Sequence, residues 1–193
     1  MKKLLGVLLL LLAGCQRELP AQRQSVLPQP RKWEPPPPLV NYYEGSHAAE
    51  AVQMVRAKVG EPFRVLNIRI DNDEVRVQVQ DPKKPENVDE YSVAHGRLDE
   101  KPTPVRLFGD SDQKTLNANV FDPATVDLTK VADLIREGNE KIQLEGREMT
   151  GLTIERDMFN DGRVIIDVNY HGTRKSGYLR TDRKGAHAEA SVF

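Results

Sequence analysis

Apolar residues recur along this chain with three different periods. From Leu4 to Ala13 they are nearly continuous, and no polar face interrupts them. Ala48, Val52, Val55 and Val59 fall at i, i+4, i+7 and i+11. That spacing marks one face of a helix, with Ser46 as N-cap and Gly60 and Pro62 as stop signals. Phe63 to Ile70 then predicts a strand with Leu66, Ile68 and Ile70 on one side. After the turn-forming Asp71-Asn72-Asp73-Glu74, Val75, Val77 and Val79 alternate with Arg76, Gln78 and Gln80. A period of two of this kind belongs to a half-buried antiparallel strand. Asp81 to Asp89 reads as polar loop, and Tyr91 and Val93 continue the sheet.

The pattern breaks at Asp99 to Pro104. Val105 to Phe108 predicts a short strand, and Gly109 to Asn119 a loop. Then it restarts. Asp127 or Thr125 caps a helix whose face is Leu128, Val131, Ala132 and Ile135, ending at Gly138-Asn139. Leu152 and Ile154 predict a strand, and Phe159-Asn160-Asp161-Gly162 a hairpin turn. Val164, Ile166, Val168 and Tyr170 alternate with polar partners, His171-Gly172-Thr173 turns, and Tyr178 to Thr181 makes a last strand. The polar tail from Asp182 to Phe193 is expected to fray.

Helix, strand, hairpin, strand, turn and strand thus occur twice, with Ile68-Arg69-Ile70-Asp71 beside Ile154-Glu155-Arg156-Asp157. The expected fold class is α+β: two tandem α-β-β-β repeats, 40–108 and 122–193, joined by a loop over 109–121. Each helix would cover one face of its sheet. Arg76, Gln78 and Gln80 in one sheet, and Ile165 and Asn169 in the other, would point away from it. An isoleucine among those polar positions suggests that the second sheet's outer face is covered by the first repeat. The element order resembles tandem PepSY-like domains and proteinaceous β-lactamase inhibitors. That resemblance implies a binding or inhibitory module.

Upstream of the folded part, Lys2 and Lys3 precede the apolar run, which is too short to span a bilayer as about 20 residues would. Leu12-Ala13-Gly14-Cys15 resembles the lipobox of bacterial lipoproteins, and Cys15 is the only cysteine. The resemblance implies a signal peptide over 1–14, cleavage before Cys15, and a diacylglyceryl thioether there with a further acyl chain such as palmitate. Two or three chains hold a protein on a membrane where one does not. The same resemblance implies that Gln16, in place of the Asp that favours inner-membrane retention in the enterobacterial pattern, points in a Gram-negative host to the periplasmic side of the outer membrane. Residues 15–39 contain Pro20, Pro28, Pro30 and Pro35 to Pro38 and are expected to be an extended, disordered tether.

Composition narrows the remaining options. There are 28 Lys and Arg, two of them Lys2 and Lys3, against 29 Asp and Glu, so the chain carries no nucleic-acid footprint. With Cys15 lipidated, neither disulfides nor thiolate metal ligation are expected, and no cofactor beyond the covalent lipid. His47, His95, His171 and His187 are scattered, without metalloprotease spacing. Asp71 to Glu74 and Asp157 to Asp161 lack EF-hand spacing and are better explained as turns. No metal site is expected. Arg174, Lys175, Arg180, Arg183 and Lys184 form one candidate binding set, a basic patch for an acidic partner, lipid headgroup or anionic glycan. The outward sheet faces, with Arg76, Gln78 and Gln80 and with Ile165 and Asn169, are the other candidate.

The resulting expectation is a lipid-anchored, non-enzymatic protein that binds another envelope protein as an assembly, accessory or inhibitory factor. A small envelope hydrolase acting on glycan or lipid, or a small-ligand sensor between the repeats, is the alternative. The first would need convergent carboxylates or a His–carboxylate pair in a pocket. The second would need an apolar cleft at the junction.

The anchor is directly testable. Intact-mass measurement of the protein extracted from membranes should show loss of residues 1–14 and an added diacylglyceryl mass on Cys15. Cys15→Ala should abolish both, and lipid-free wild-type protein would refute the assignment.

Overall fold

Both predicted helix-and-strand sets form, and they are joined edge to edge within one sheet rather than stacked. The computed structural model describes residues 39–107, 113–158 and 161–193. The signal stretch, the proline tether up to residue 38, residues 108–112 of the expected strand and loop, and Phe159 and Asn160 of the expected turn lie outside the described residues.

The first set comprises α1 (His47–Val59), β1 (Val65–Ile70), β2 (Glu74–Gln80) and β3 (Val88–Ala94), with the two-residue strands β4 (Arg97–Leu98) and β5 (Thr103–Pro104) on the edge of β3. After α2 (Gln113–Asn119), the second set runs α3 (Val131–Lys141), β6 (Glu148–Arg156), β7 (Val164–His171), β8 (Ser176–Asp182) and β9 (Glu189–Val192). The strands follow the order β4-β3-β2-β1-β6-β7-β8-β9, all antiparallel, in an α+β fold. The seam is β1 against β6. Its register places Ile68 opposite Ile154, the two residues that begin the matched tetrapeptides.

That register decides the core. Ile68, Ile70, Val75, Val77, Leu152, Ile154, Ile166, Val168 and Leu179 all bury on one face, in one cluster with Val52 and Val55 of α1 and Val131 and Leu134 of α3. Each such side chain contributes about 1.5–3 kcal/mol on leaving water.

Several expectations need correction. Leu66 does not share the side of Ile68 and Ile70. Val65 pairs with Val79 and Asn67 with Gln78, so β1 carries one extra residue, a bulge at Leu66. Val65 turns into the main core, and Leu66 joins Val88, Leu116 and Val120 in a second small cluster. The expected loop over 109–121 contains α2, whose Asn-rich sequence has weak helix propensity. Burial of Leu116 and a hydrogen bond from Gln80 Nε2 to Asn117 Oδ1 (2.9 Å) supply what propensity does not. Val105 to Leu107 is not strand; Val105 N donates to Val88 O (2.9 Å) beyond β5.

The tail does not fray. β9 pairs with β8, and Ser176 and Phe193 exchange main-chain hydrogen bonds (3.1 and 3.0 Å). Ile165 is buried (2%), yet the first half lies beside the second and does not stack over it.

In α3 the buried face is Val131, Leu134 and Gly138, with Ala132 exposed, and Gly138 sits inside the helix instead of ending it. Tyr170 is the reason. Its hydroxyl donates to Ile135 O (3.3 Å), and its ring occupies the space where a side chain at position 138 would stand.

A helix-interior Gly→Ala change usually stabilises by about 0.5–1 kcal/mol. Gly138→Ala should do the reverse, costing about 1–3 kcal/mol in urea unfolding because the new Cβ meets the Tyr170 hydroxyl. In a Tyr170→Phe background the same change should cost less; equal costs would show that the contact is not the cause.

Candidate functional site

Among the described residues, the helices leave the second face of the sheet uncovered, apart from α2 at one end. Along that face the register sets up rows of polar side chains. One row runs Glu90, Gln78, Asn67, Glu155, Ile165 and Asp182 across β3, β2, β1, β6, β7 and β8. A second runs Ser92, Arg76, Arg69, Thr153, Asp167 and Arg180. Neighbours are matched across the strands. Gln78 Nε2 donates to Glu90 Oε2 and Asn67 Nδ2 to Glu155 Oε2, both at 2.9 Å. Ser92 Oγ donates to Glu74, whose other carboxylate oxygen faces Arg76 at 3.4 Å.

A groove of about 360 Å³ crosses the seam on this face. Leu66, Asn67 and Gln78 of the first half form one side, Glu155, Arg156, Asp157, Met158, Ile165 and Arg180 of the second form the other, and Asn119 of α2 closes one end. At about 4.8 Å per strand, the distance from β2 to β8 is about 19 Å. Its floor is apolar, with Ile165 buried, and its walls are polar.

Arg180 is the anchor of the groove. Its guanidinium makes a two-pronged contact with Asp167, Nε to Oδ1 at 2.9 Å and Nη2 to Oδ2 at 2.7 Å, while Nη1 reaches Asp157 Oδ2 at 3.3 Å. The fork of Asp167 holds the Arg180 proton far above its ordinary range, against burial, with Asp157 adding to it. Beneath it lies the Tyr178 ring (4.9 Å), itself against Phe193 (6.2 Å). Asp157 has a side-chain exposure of only 3%.

At the equivalent position of the first half the arrangement is inverted, with two arginines on one carboxylate. Asp71, at the end of β1 as Asp157 is at the end of β6, accepts from Arg69 Nε (3.0 Å) and Arg76 Nη2 (2.7 Å). Burial works against the charge of Asp71, and the two arginines overcome it, holding its carboxyl below the usual range. Burial first, then the Asp71 charge, pushes the nearby Tyr43 hydroxyl up to about 12.

The five basic residues singled out from sequence are not one patch. Arg174 and Lys175 are exposed in the β7–β8 turn, while Arg183 and Lys184 follow the other end of β8. Seven strand residues, about 23 Å, separate the pairs. Arg180, between them, is matched by two carboxylates. Gln78 and Ile165 are placed on the outward sheet faces by their alternation, whereas Asn67 and Glu155 escape sequence reading because their meeting depends on the seam.

No histidine lines the groove. His47 Nδ1 lies 2.9 Å from Asn41 O, and His171 Nδ1 3.2 Å from Ser176 Oγ. Glu155 and Asp157 are the groove's carboxylates, each already hydrogen-bonded. Among the described residues no three His, Cys, Asp or Glu are arranged to hold a metal ion, and no helix is long and apolar enough to cross a membrane.

No protein-family model matches the chain, and no curated protein matches it. Its fold is similar to the crystal structure of a Clostridium difficile 630 protein provisionally described as a lipoprotein. The TM-score is 0.58 at 9% sequence identity, covering 80% of this chain and 94% of the other. At that identity the likeness is one of fold.

Removing the Arg180 side chain would leave Asp157 and Asp167 uncompensated in a largely buried setting. Arg180→Ala should destabilise by about 3 kcal/mol or more, read from thermal or urea unfolding. Arg180→Lys should fall between, since an ammonium keeps the charge and loses the fork. A neutral Arg180→Ala would mean that the triad holds nothing together.

Proposed function

We propose that this protein is a lipid-anchored envelope lipoprotein, outer-membrane and periplasm-facing, whose double α-β-β-β unit binds another envelope protein without catalysing a reaction. Three observations support the anchor: the Leu12-Ala13-Gly14-Cys15 lipobox, the proline-rich stretch behind it, and the shared fold with a protein provisionally described as a lipoprotein. Element order supports the PepSY-like or inhibitor-like reading.

The observation that carries the binding role is the groove across the seam. Its charged groups are fixed in advance, Glu155 by Asn67 and Asp157 by Arg180. Groups locked in this way present a defined pattern of donors and acceptors and lose little entropy when a partner docks. They are poorly suited to proton transfer, where a carboxyl must change state and partner during the reaction. The bare sheet face extends that pattern over several strands on both sides of the groove.

A second reading, small-ligand sensing between the halves, draws support from the groove's place at the junction and its apolar Leu66, Met158 and Ile165.

Site-specific photo-crosslinking tests the proposal. A photoreactive side chain replacing Gln78, in the full lipidated protein in cells, should give a discrete protein adduct; one replacing Arg136, exposed on α3, should not. Asn67→Lys should remove the Gln78 adduct while leaving unfolding unchanged. Equal crosslinking at both positions, or adducts indifferent to Asn67→Lys, would overturn the binding face. Loss of the adduct on adding a low-molecular-weight envelope extract would favour the sensing reading.

A further inference from the structure

A second cleft, of about 540 Å³, opens beyond the far end of the core where β6, β7 and β8 stop. Its floor is the buried pair Phe121 and Val164, and its walls carry Arg156, Arg163, Arg183 and Lys184 against Asp122 and Asp182. Four cations and two carboxylates therefore line the cleft, and a third carboxylate, Asp127, lies within electrostatic reach of Lys184. The contrast with the seam groove lies in how these charges are matched.

Arg156 is half-buried, and its hydrogen bonds go to main-chain carbonyls: Nη1 to Gly162 O at 2.6 Å and Nε to Val120 O at 3.3 Å. Carbonyls orient a guanidinium without cancelling its charge. Asp182 Oδ1 accepts from the main-chain N–H of Lys184 (2.8 Å) and Ala186 (2.9 Å), and Asp122 Oδ1 from Ala124 N (2.9 Å). Both carboxylates are thus turned toward local turn N–H groups. Arg163 faces the exposed Asp161 at 3.7 Å, a separation at which such pairs contribute little, and its charge also reaches Asp182 across the cleft. Arg183 is held by its main chain, Asp127 N donating to Arg183 O (2.9 Å), which fixes where its exposed side chain starts.

Three guanidiniums and an ammonium converge from three strand ends around an apolar floor. Arginine forks match the oxygens of a phosphate, and lysine adds a point charge. The volume exceeds what a bare phosphate occupies, leaving room for the group attached to it.

We propose that this cleft is a phosphate-binding site, taking a phosphate carried either by an anionic lipid headgroup or by a soluble molecule. The site is separate from the seam groove in every cation except Arg156 and does not rest on the partner-binding reading.

The test is a titration of the full chain in nonionic detergent, followed by NMR of the arginine Nε–H and Lys184 N–H signals. The probes are inorganic phosphate, short-chain phosphatidylglycerol and, as a neutral-headgroup control, short-chain phosphatidylcholine. Saturable shifts at Arg156, Arg163 and Lys184 with phosphate or phosphatidylglycerol, and not with phosphatidylcholine, are expected. Saturation by inorganic phosphate points to a soluble source; saturation by phosphatidylglycerol alone points to the lipid.

Arg183→Glu with Lys184→Glu, both on exposed turn positions, should weaken binding at least about tenfold with unfolding unchanged. Arg156→Lys should weaken it without abolishing it. The proposal fails if neither anion produces saturable shifts, if phosphatidylcholine matches phosphatidylglycerol, or if the double charge reversal leaves binding intact.

Discussion

The main-chain pairing of β1 with β6 is the contact on which everything else in the folded part depends. Each half ends at that seam in a strand edge, a row of N–H and C=O groups that must find partners. Pairing them with each other closes both edges at once. The register that sets Ile68 against Ile154 also puts the Val and Ile faces of both halves on the same side, so α1 and α3 cover one continuous core. A slip of one residue would send one half's apolar face to the opposite side of the sheet. The two small modules are in this sense one structural unit.

The same pairing makes the bare face continuous. Asn67 reaches Glu155 because their strands are neighbours, and the groove exists because a β-bulge turns Leu66 outward beside it. Near each end of the seam, an aspartate at the close of a strand is gripped by arginine: Asp71 by Arg69 and Arg76, Asp157 by Arg180. This repetition fits two halves related across the seam. Charges here are matched internally, which stiffens the surface. In the cleft beyond β6–β8 Arg156 is oriented by carbonyls and keeps its charge. The molecule therefore presents one pre-ordered polar face and one cleft whose lining holds more cations than carboxylates.

The sequence conveyed the periodic features well. Val75, Val77 and Val79 are buried as their alternation required, and the α1 face of Ala48, Val52 and Val55 packs as its spacing required. The irregular features were not legible. The Leu66 bulge looks like ordinary alternation, α2 is too short and Asn-rich to stand out, and β9 has almost no apolar signal because backbone pairing alone holds it. Gly138 reads as a helix end until Tyr170, far along the chain, is seen to occupy its missing side chain. The basic residues of β8 read as one patch because sequence proximity says nothing of the length of strand between them.

Local chemistry was thus written directly in the chain: where helices and strands form, that they recur twice, and which cysteine resembles a lipid acceptor. These depend on interactions among residues a few positions apart. How the halves join, which polar side chains meet at the seam, and which cations line the cleft depended on contacts between residues tens of positions apart. Such contacts are chosen by packing and by the need to pair strand edges, and no periodicity records them.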